Sequence, residues 1–248
     1  MNDSIPKEER SKSQKLIIEN NDQIPSERAL GVFWNILEDT FGFKVNLKDR
    51  PATRRGILSV VSSVFDPLGL AGPFILPARI MLQRLCKQDL GWDQEIGVTE
   101  MAVWRQWLLD IVKLEQMSLP RSIRPRDFVD PMTCQMHAFS DASDEGYGIA
   151  IYTRLEGSSG RVFCNLLMGK SRVAPLKKVT IPRMELTAAS LSVKFVTLIT
   201  SDMELPFNVH YWTDSTSVLR YIANKTTRFH IFVANRVTTI QEGSSMEQ

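Results

Sequence analysis

The chain has 248 residues, 43% of them hydrophobic, enough for one large domain or two small ones around a real core. A net charge of +2 excludes a globally basic nucleic-acid binder, so any such binding rests on local patches. The three cysteines, Cys86, Cys134 and Cys164, are scattered without metal-ligand spacing and read as reduced thiols of an intracellular protein. No apolar stretch reaches the roughly 18 residues of a membrane span, and the N-terminus has no signal-peptide pattern.

Residues 1–28 are polar and charged and read as a flexible lead-in. Two β-rich runs follow, Ala29–Ile36 and Thr40–Val45, with Glu38-Asp39 between them, which predicts a hairpin within residues 29–50. Residues 51–119 read as a helical module. A first helix starts at Arg54 and stops near Asp66-Pro67-Leu68-Gly69, and a second begins around Pro73 or Pro77. A third spans about Thr99–Gln116, with Met101, Trp104, Leu108, Ile111 and Val112 at helical spacing. The Arg- and Pro-rich stretch 120–132 has the composition of a linker.

From Thr133 the pattern becomes α/β. Strands are expected at Thr133–Ala142, Tyr147–Thr153 and Val162–Met168, and their short connections make an antiparallel meander. A helix then runs from Pro182 to about Thr200, with Pro182 in its first turn, where a missing N–H costs nothing. Val209–Thr213 is a fourth strand, and Ser215–Ala223 and Phe229–Gln241 are helices.

Three acidic residues stand out by frame and order: Asp141 in Phe139-Ser140-Asp141-Ala142-Ser143, Glu185 in Pro182-Arg183-Met184-Glu185-Leu186, and Asp214 in Tyr211-Trp212-Thr213-Asp214. Each has a plainer role available. Asp141 suits a turn, Glu185 suits the first turn of its helix, and Asp214 suits an N-cap, as does Ser215. Those roles do not explain why all three fall where the first and fourth strands and the first helix of this region would meet. Carboxylates gathered there suit two-metal phosphodiester hydrolysis, in which divalent cations about 3.5–4 Å apart activate a water and steady the leaving oxygen. Mg²⁺ takes oxygen ligands and keeps several waters, and without it clustered carboxylates repel one another.

With these residues in view, the stretch from His137 onward resembles the ribonuclease H domain of retroelements. The strings "FSDASDEGYG", "TIPRMELTAA" and "YWTDSTSVLRYI" are most similar to the BEL/Pao class of LTR retrotransposons. Upstream, "ERALGVFWN", "FGFKV" and the run containing "FDPLGL" resemble the end of that class's reverse transcriptase, its last palm hairpin and its thumb and connection helices. The resemblance covers about residues 27–241. It implies a ribonuclease H-like mixed sheet with flanking helices in residues 133–248. It implies Asp141, Glu185 and Asp214 as catalytic metal ligands for two Mg²⁺ or Mn²⁺ ions. It also implies Ser143, Lys170, Ser171, Arg172, Ser215 and Thr216 near the substrate, an RNA–DNA hybrid, with Lys170–Arg172 in the connection after the third strand. The remainder of a Pol polyprotein is the implied protein partner.

The resemblance also implies a further strand and a last helix carrying a fourth acid, for which the sequence to Gln248 has no matching frame, so activity is expected to be impaired. No Tyr-x-Asp-Asp motif for polymerisation occurs. The alternative is a non-catalytic nucleic-acid-binding or interaction remnant of such an element. Integrase-type chemistry uses the order Asp, Asp, Glu, which is not the order here. An aspartic peptidase uses Asp-Thr/Ser-Gly, and Asp39-Thr40-Phe41 and Asp214-Ser215-Thr216 both lack the glycine.

Overall fold

The structure, a computed structural model, describes residues 26–29, 32–125, 128, 131–203, 206–226 and 228–245. Two four-stranded sheets organise it. The first is antiparallel, in the order β1 (Ser26–Ala29), β2 (Val32–Asn35), β3 (Thr40–Gly42) and β4 (Leu119–Pro120). The expected hairpin therefore gains a strand on each side, one from the end of the expected lead-in and one from the junction of the expected helical module with the expected linker. Residues 1–25 of that lead-in lie outside the described residues. A two-stranded hairpin is marginal alone, and added strands satisfy its open edges. At the tip, Asp39 takes φ 53°, a conformation Asp tolerates. Its carboxylate accepts from Trp34 Nε1 at 3.1 Å and pairs with Arg121 at 2.5 Å.

Three helices follow and share one core with Val32 and Phe43. In α1 (Arg54–Ser63), the Thr53 hydroxyl caps the N-terminus by accepting from the Gly56 N–H at 3.1 Å. Thr53→Ala is expected to cost about 1 kcal/mol, read as a lower midpoint in thermal unfolding. The second, α2 (Gly72–Lys87), starts just ahead of Pro73, and Pro77 lies inside it. The expected third helix divides into α3 (Val98–Ile111) and a tighter 3-10 turn, Val112–Gln116, which keeps Leu114 fully buried beside Ile111. Ile57, Val60, Ile75, Leu85, Trp104 and Ile111 form the core of this half.

The second sheet has the order β7-β6-β5-β8. β5 (Pro131–Ala142), β6 (Gly146–Gly157) and β7 (Val162–Val173) form the expected antiparallel meander, and β8 (Asn208–Trp212) lies parallel to β5. β6 and β7 outrun their expected ends. Lys170, Ser171 and Arg172 pair with Ile149, Gly148 and Tyr147, so they belong to β7 rather than to the connection after it. α4 (Ile181–Asp202) packs Val196 on the face formed by Met136, Ala138, Ile149 and Ile151. Its other side, through Leu186, Ala189 and Val193, meets Val218 of α5 (Thr216–Ala223) and Val233, Val237 and Ile240 of α6 (Ile231–Gly243).

The helical module meets the opposite face of this sheet at β7. Gly169 N–H donates to Leu68 O at 2.8 Å, Gln83 donates to Ala174 O, and Arg84 pairs with Glu145. The turn at Leu68-Gly69 is shaped by Asp66, whose carboxylate accepts from the N–H groups of Leu70 at 2.9 Å and Ala71 at 2.8 Å. Burial pushes the Asp66 carboxyl above the usual range, against the pull of those bonds. Asp66→Ala leaves two buried N–H groups without that acceptor, an expected loss of about 2 kcal/mol or more in urea unfolding. Among the described residues no helix is long and apolar enough to cross a membrane.

Candidate active site

β5 and β8 run side by side with Phe139 opposite Trp212. Asp141 comes two residues later, still paired with Gly148 near the end of β5, and Asp214 comes two residues after Trp212, just past the end of β8, so both stand toward the same end of the sheet. Both line one cleft of 940 Å³ between the sheet and α2. Its floor includes Phe139, Gly148, Ala150 and Trp212, and its wall includes Pro73, Leu76 and Ile80. Side-chain alternation accounts for this placement. Met136, Ala138 and Ser140 are buried on the α4 side, and the intervening residues face away from it.

Glu185 is half-buried and stands beyond the first turn of α4, which holds no acid. The helix-dipole role that its sequence position suggested is thus weak. Its Oε2 accepts from Ser215 Oγ at 2.5 Å, and Ser215 Oγ itself caps α5 by accepting from the Val218 N–H at 3.2 Å. The cap of α5 is therefore Ser215, and Asp214 remains exposed at the cleft. Asp141 is also exposed, and its Oδ1 accepts from the Ala142 N–H at 2.6 Å.

The structure thus brings Asp141 and Asp214 to one cleft and ties Glu185 to the residue following Asp214. It does not include Glu185 in the cleft lining. No three His, Cys, Asp or Glu side chains form a metal-holding group among the described residues. The reason is layered packing, since α4 covers one face of the sheet and the cleft opens on the other. Two hard carboxylates suit a cation such as Mg²⁺, which binds through one or two carboxylates, its own waters and substrate phosphates, better than an all-protein cage does.

Of the expected substrate contacts, Ser143, Lys170 and Ser171 line the same cleft. Arg172 is exposed outside that lining, and Thr216 is exposed at the start of α5. Ser215 is buried, with its hydroxyl engaged by Glu185 and by the helix cap.

Sequence reasoning passed over the aromatic row on the cleft side of β5 and β8. His137 stacks on His210 with centroids 5.1 Å apart, Phe139 stacks on Trp212 at 5.9 Å, and Trp212 Nε1 donates to His137 Nδ1 at 3.0 Å. The available signal was the period-two spacing of His137 with Phe139 and of His210 with Trp212. Burial, with His210 and Arg154 nearby, holds His137 below the ordinary histidine value of 6.5. A histidine so depressed contributes stability that is present above its unfolded value and is lost as pH falls from there through its folded value. Acidification from pH 7 to 5 is expected to shift Trp212 emission with a midpoint below 6.5, and a His137→Phe variant should lack the transition.

The sequence family described as "Pao retrotransposon-like RNaseH-like domain" matches residues 53–215. No curated protein is similar enough to be matched to the chain. Among solved structures, ribonuclease H1 of the halophilic archaeon Halobacterium salinarum is 12% identical, with 44% of this chain and 75% of that one covered and a TM-score of 0.28. The foamy viral protease-reverse transcriptase in complex with dsDNA is 14% identical, with 89% and 43% covered and a TM-score of 0.46. The native protease-reverse transcriptase of prototype foamy virus is 16% identical, with 88% and 27% covered and a TM-score of 0.29. The matched span begins at the capping Thr53 and ends at Ser215, crossing the helical module and the meander alike, and by it the chain belongs to the Pao retrotransposon-like RNaseH-like family.

Proposed function

We propose that this chain is part of a retroelement Pol protein and carries a ribonuclease H-type site that hydrolyses the RNA strand of an RNA–DNA hybrid. The observation that carries the reading is the placement of Asp141 and Asp214 toward the same end of neighbouring parallel strands, both lining one cleft. Two Mg²⁺ or Mn²⁺ ions, when bound, supply the activated water and the charge that steadies the leaving oxygen. Asp141 and Asp214 would be ligands of these hard cations, and Glu185, oriented by its bond to Ser215, would supply the third carboxylate from α4. Ser143 and Ser171 offer hydroxyls to the sugar edge, where the 2′-hydroxyl separates RNA from DNA, and Lys170 meets the phosphate backbone.

A second reading is hybrid binding without cleavage, favoured by the absence of Glu185 from the cleft lining. Incubation of the chain with a labelled RNA–DNA hybrid in Mg²⁺ or Mn²⁺, beside an Asp141→Asn control, separates the two. Metal-dependent cleavage lost in the control supports the nuclease. Binding indifferent to metal, without cleavage, supports the second reading, and equal cleavage by both proteins removes the site assignment.

A further inference from the structure

On the side of α4 facing α6, two arginines share one aromatic ring. Arg236 Cζ lies 3.5 Å from the Phe232 centroid and Arg183 Cζ lies 5.6 Å from it. Arg236 is half-buried and fixed in place, its Nε donating to Thr187 Oγ1 at 2.8 Å and its Nη1 to Phe232 O at 2.9 Å. Thr187 Oγ1 in turn donates to Arg183 O at 2.8 Å, which couples the two positions. A guanidinium has five N–H donors, and these bonds leave part of the Arg236 fork open to a further acceptor. None of the ion pairs among the described residues involves Arg183 or Arg236. Two cations held on one ring without a carboxylate repel each other, and an anion between them relieves that repulsion.

The surroundings indicate which anion. Arg183 lies two residues ahead of Glu185 in the first turn of α4, whose N-terminus has no side-chain cap. Glu185 accepts from Ser215, the neighbour of Asp214, so the end of α4 that carries Arg183 is the end tied to the carboxylates. Planar forks of this kind suit phosphate oxygens, which they can grip through two parallel bonds. We infer that Arg183 and Arg236 form a phosphate clamp that takes a backbone phosphodiester of a nucleic acid and sets the strand against the cleft. Only the identity of the phosphate carrier rests on the proposed function; the clamp itself rests on the arginine geometry.

The test is a salt titration of the affinity of the full chain for a labelled RNA–DNA hybrid, with divalent cations chelated so that nothing is cut. Each phosphate contact contributes about 0.9 to the slope of log affinity against log salt concentration. The Arg183→Gln/Arg236→Gln protein should therefore lose about one unit of slope, the share of one phosphate, and bind at least about tenfold more weakly at low salt. Arg183→Gln alone, at an exposed position, should lose about half a unit while its circular dichroism melt stays unchanged, which guards against misfolding of the double variant. Arg105→Gln, on α3, is the remote control. Unchanged slopes in folded Arg183→Gln protein, or an equal loss in Arg105→Gln, overturn the clamp. So does failure of the wild-type chain to bind the hybrid, which also removes the hybrid reading. Calorimetry with inorganic phosphate alone identifies the source: phosphate binding lost in the variants while hybrid slopes stay unchanged overturns the nucleic-acid assignment. Clamp-dependent binding by a chain that never cuts the hybrid supports the clamp and removes the nuclease reading.

Discussion

Alanine at Gly69 is expected to destabilise the chain by about 2–5 kcal/mol, the sum of a strained backbone and an overpacked contact. Gly69 has φ 71°, where a side chain is disfavoured, and a Cβ there would collide with the carbonyl oxygen of Gly169 in β7. The approach is reciprocal, because a Cβ on Gly169 would lie 2.8 Å from Gly69 O. Neither backbone can retreat easily. Gly169 N–H is bonded to Leu68 O at 2.8 Å, and Asp66 holds the turn from the other side. Gly160 supplies an internal control, since it has φ 76° with no heavy atom within 4 Å of an added Cβ. Gly160→Ala should show only the conformational part, about 1–2 kcal/mol. Urea unfolding of both variants checks this, and equal losses would mean that the contact between Gly69 and Gly169 contributes nothing.

The second large effect concerns chemistry. On the proposed nuclease reading, Asp141→Asn should slow metal-dependent hybrid cleavage about a thousandfold, the rate equivalent of about 4 kcal/mol, because it would remove a charged ligand where developing charge must be met. The fold should be untouched, since Asp141 is exposed and the bond its Oδ1 accepts from the Ala142 N–H can be kept by the Asn carbonyl oxygen. Asp214→Asn should match it, as Asp214 lines the same cleft toward the same end of the sheet. Ser215→Ala should differ in kind. It frees Glu185 and uncaps α5 at once, so about 1 kcal/mol of stability should go with the loss of activity. Single-turnover cleavage rates with parallel thermal melts separate the two patterns.

What the sequence disclosed and what it withheld follow from the range of the interactions involved. The meander of β5, β6 and β7 was legible because alternating hydrophobicity is local, and the start of α4 was legible because Pro182 marks it. The first and fourth strands were expected to meet near the acids, and their parallel pairing as β5 and β8 comes from the structure. β4 was not legible: it has two residues, one of them a proline, and is a strand only because β3 lies beside it. Lys170–Arg172 reads as a polar connection, and partners in β6 make it strand. The offset of Glu185 from the cleft depends on which face of the sheet α4 covers, a property of packing and not of spacing. Arg183 and Arg236 meet only because α4 and α6 pack together, so neither position stood out in its own segment.

The Pro-rich stretch after α3 carries a consequence for anyone dissecting the molecule. Leu119 and Pro120 complete the first sheet, while Asn165 of β7 donates to the carbonyls of Pro120 at 2.9 Å and Ser122 at 3.2 Å. Severing the chain there would strip an edge from one half and leave a buried amide of the other without its acceptors. Such a stretch is a hem stitched to both fabrics, and the halves are expected to express and purify well only as a single piece.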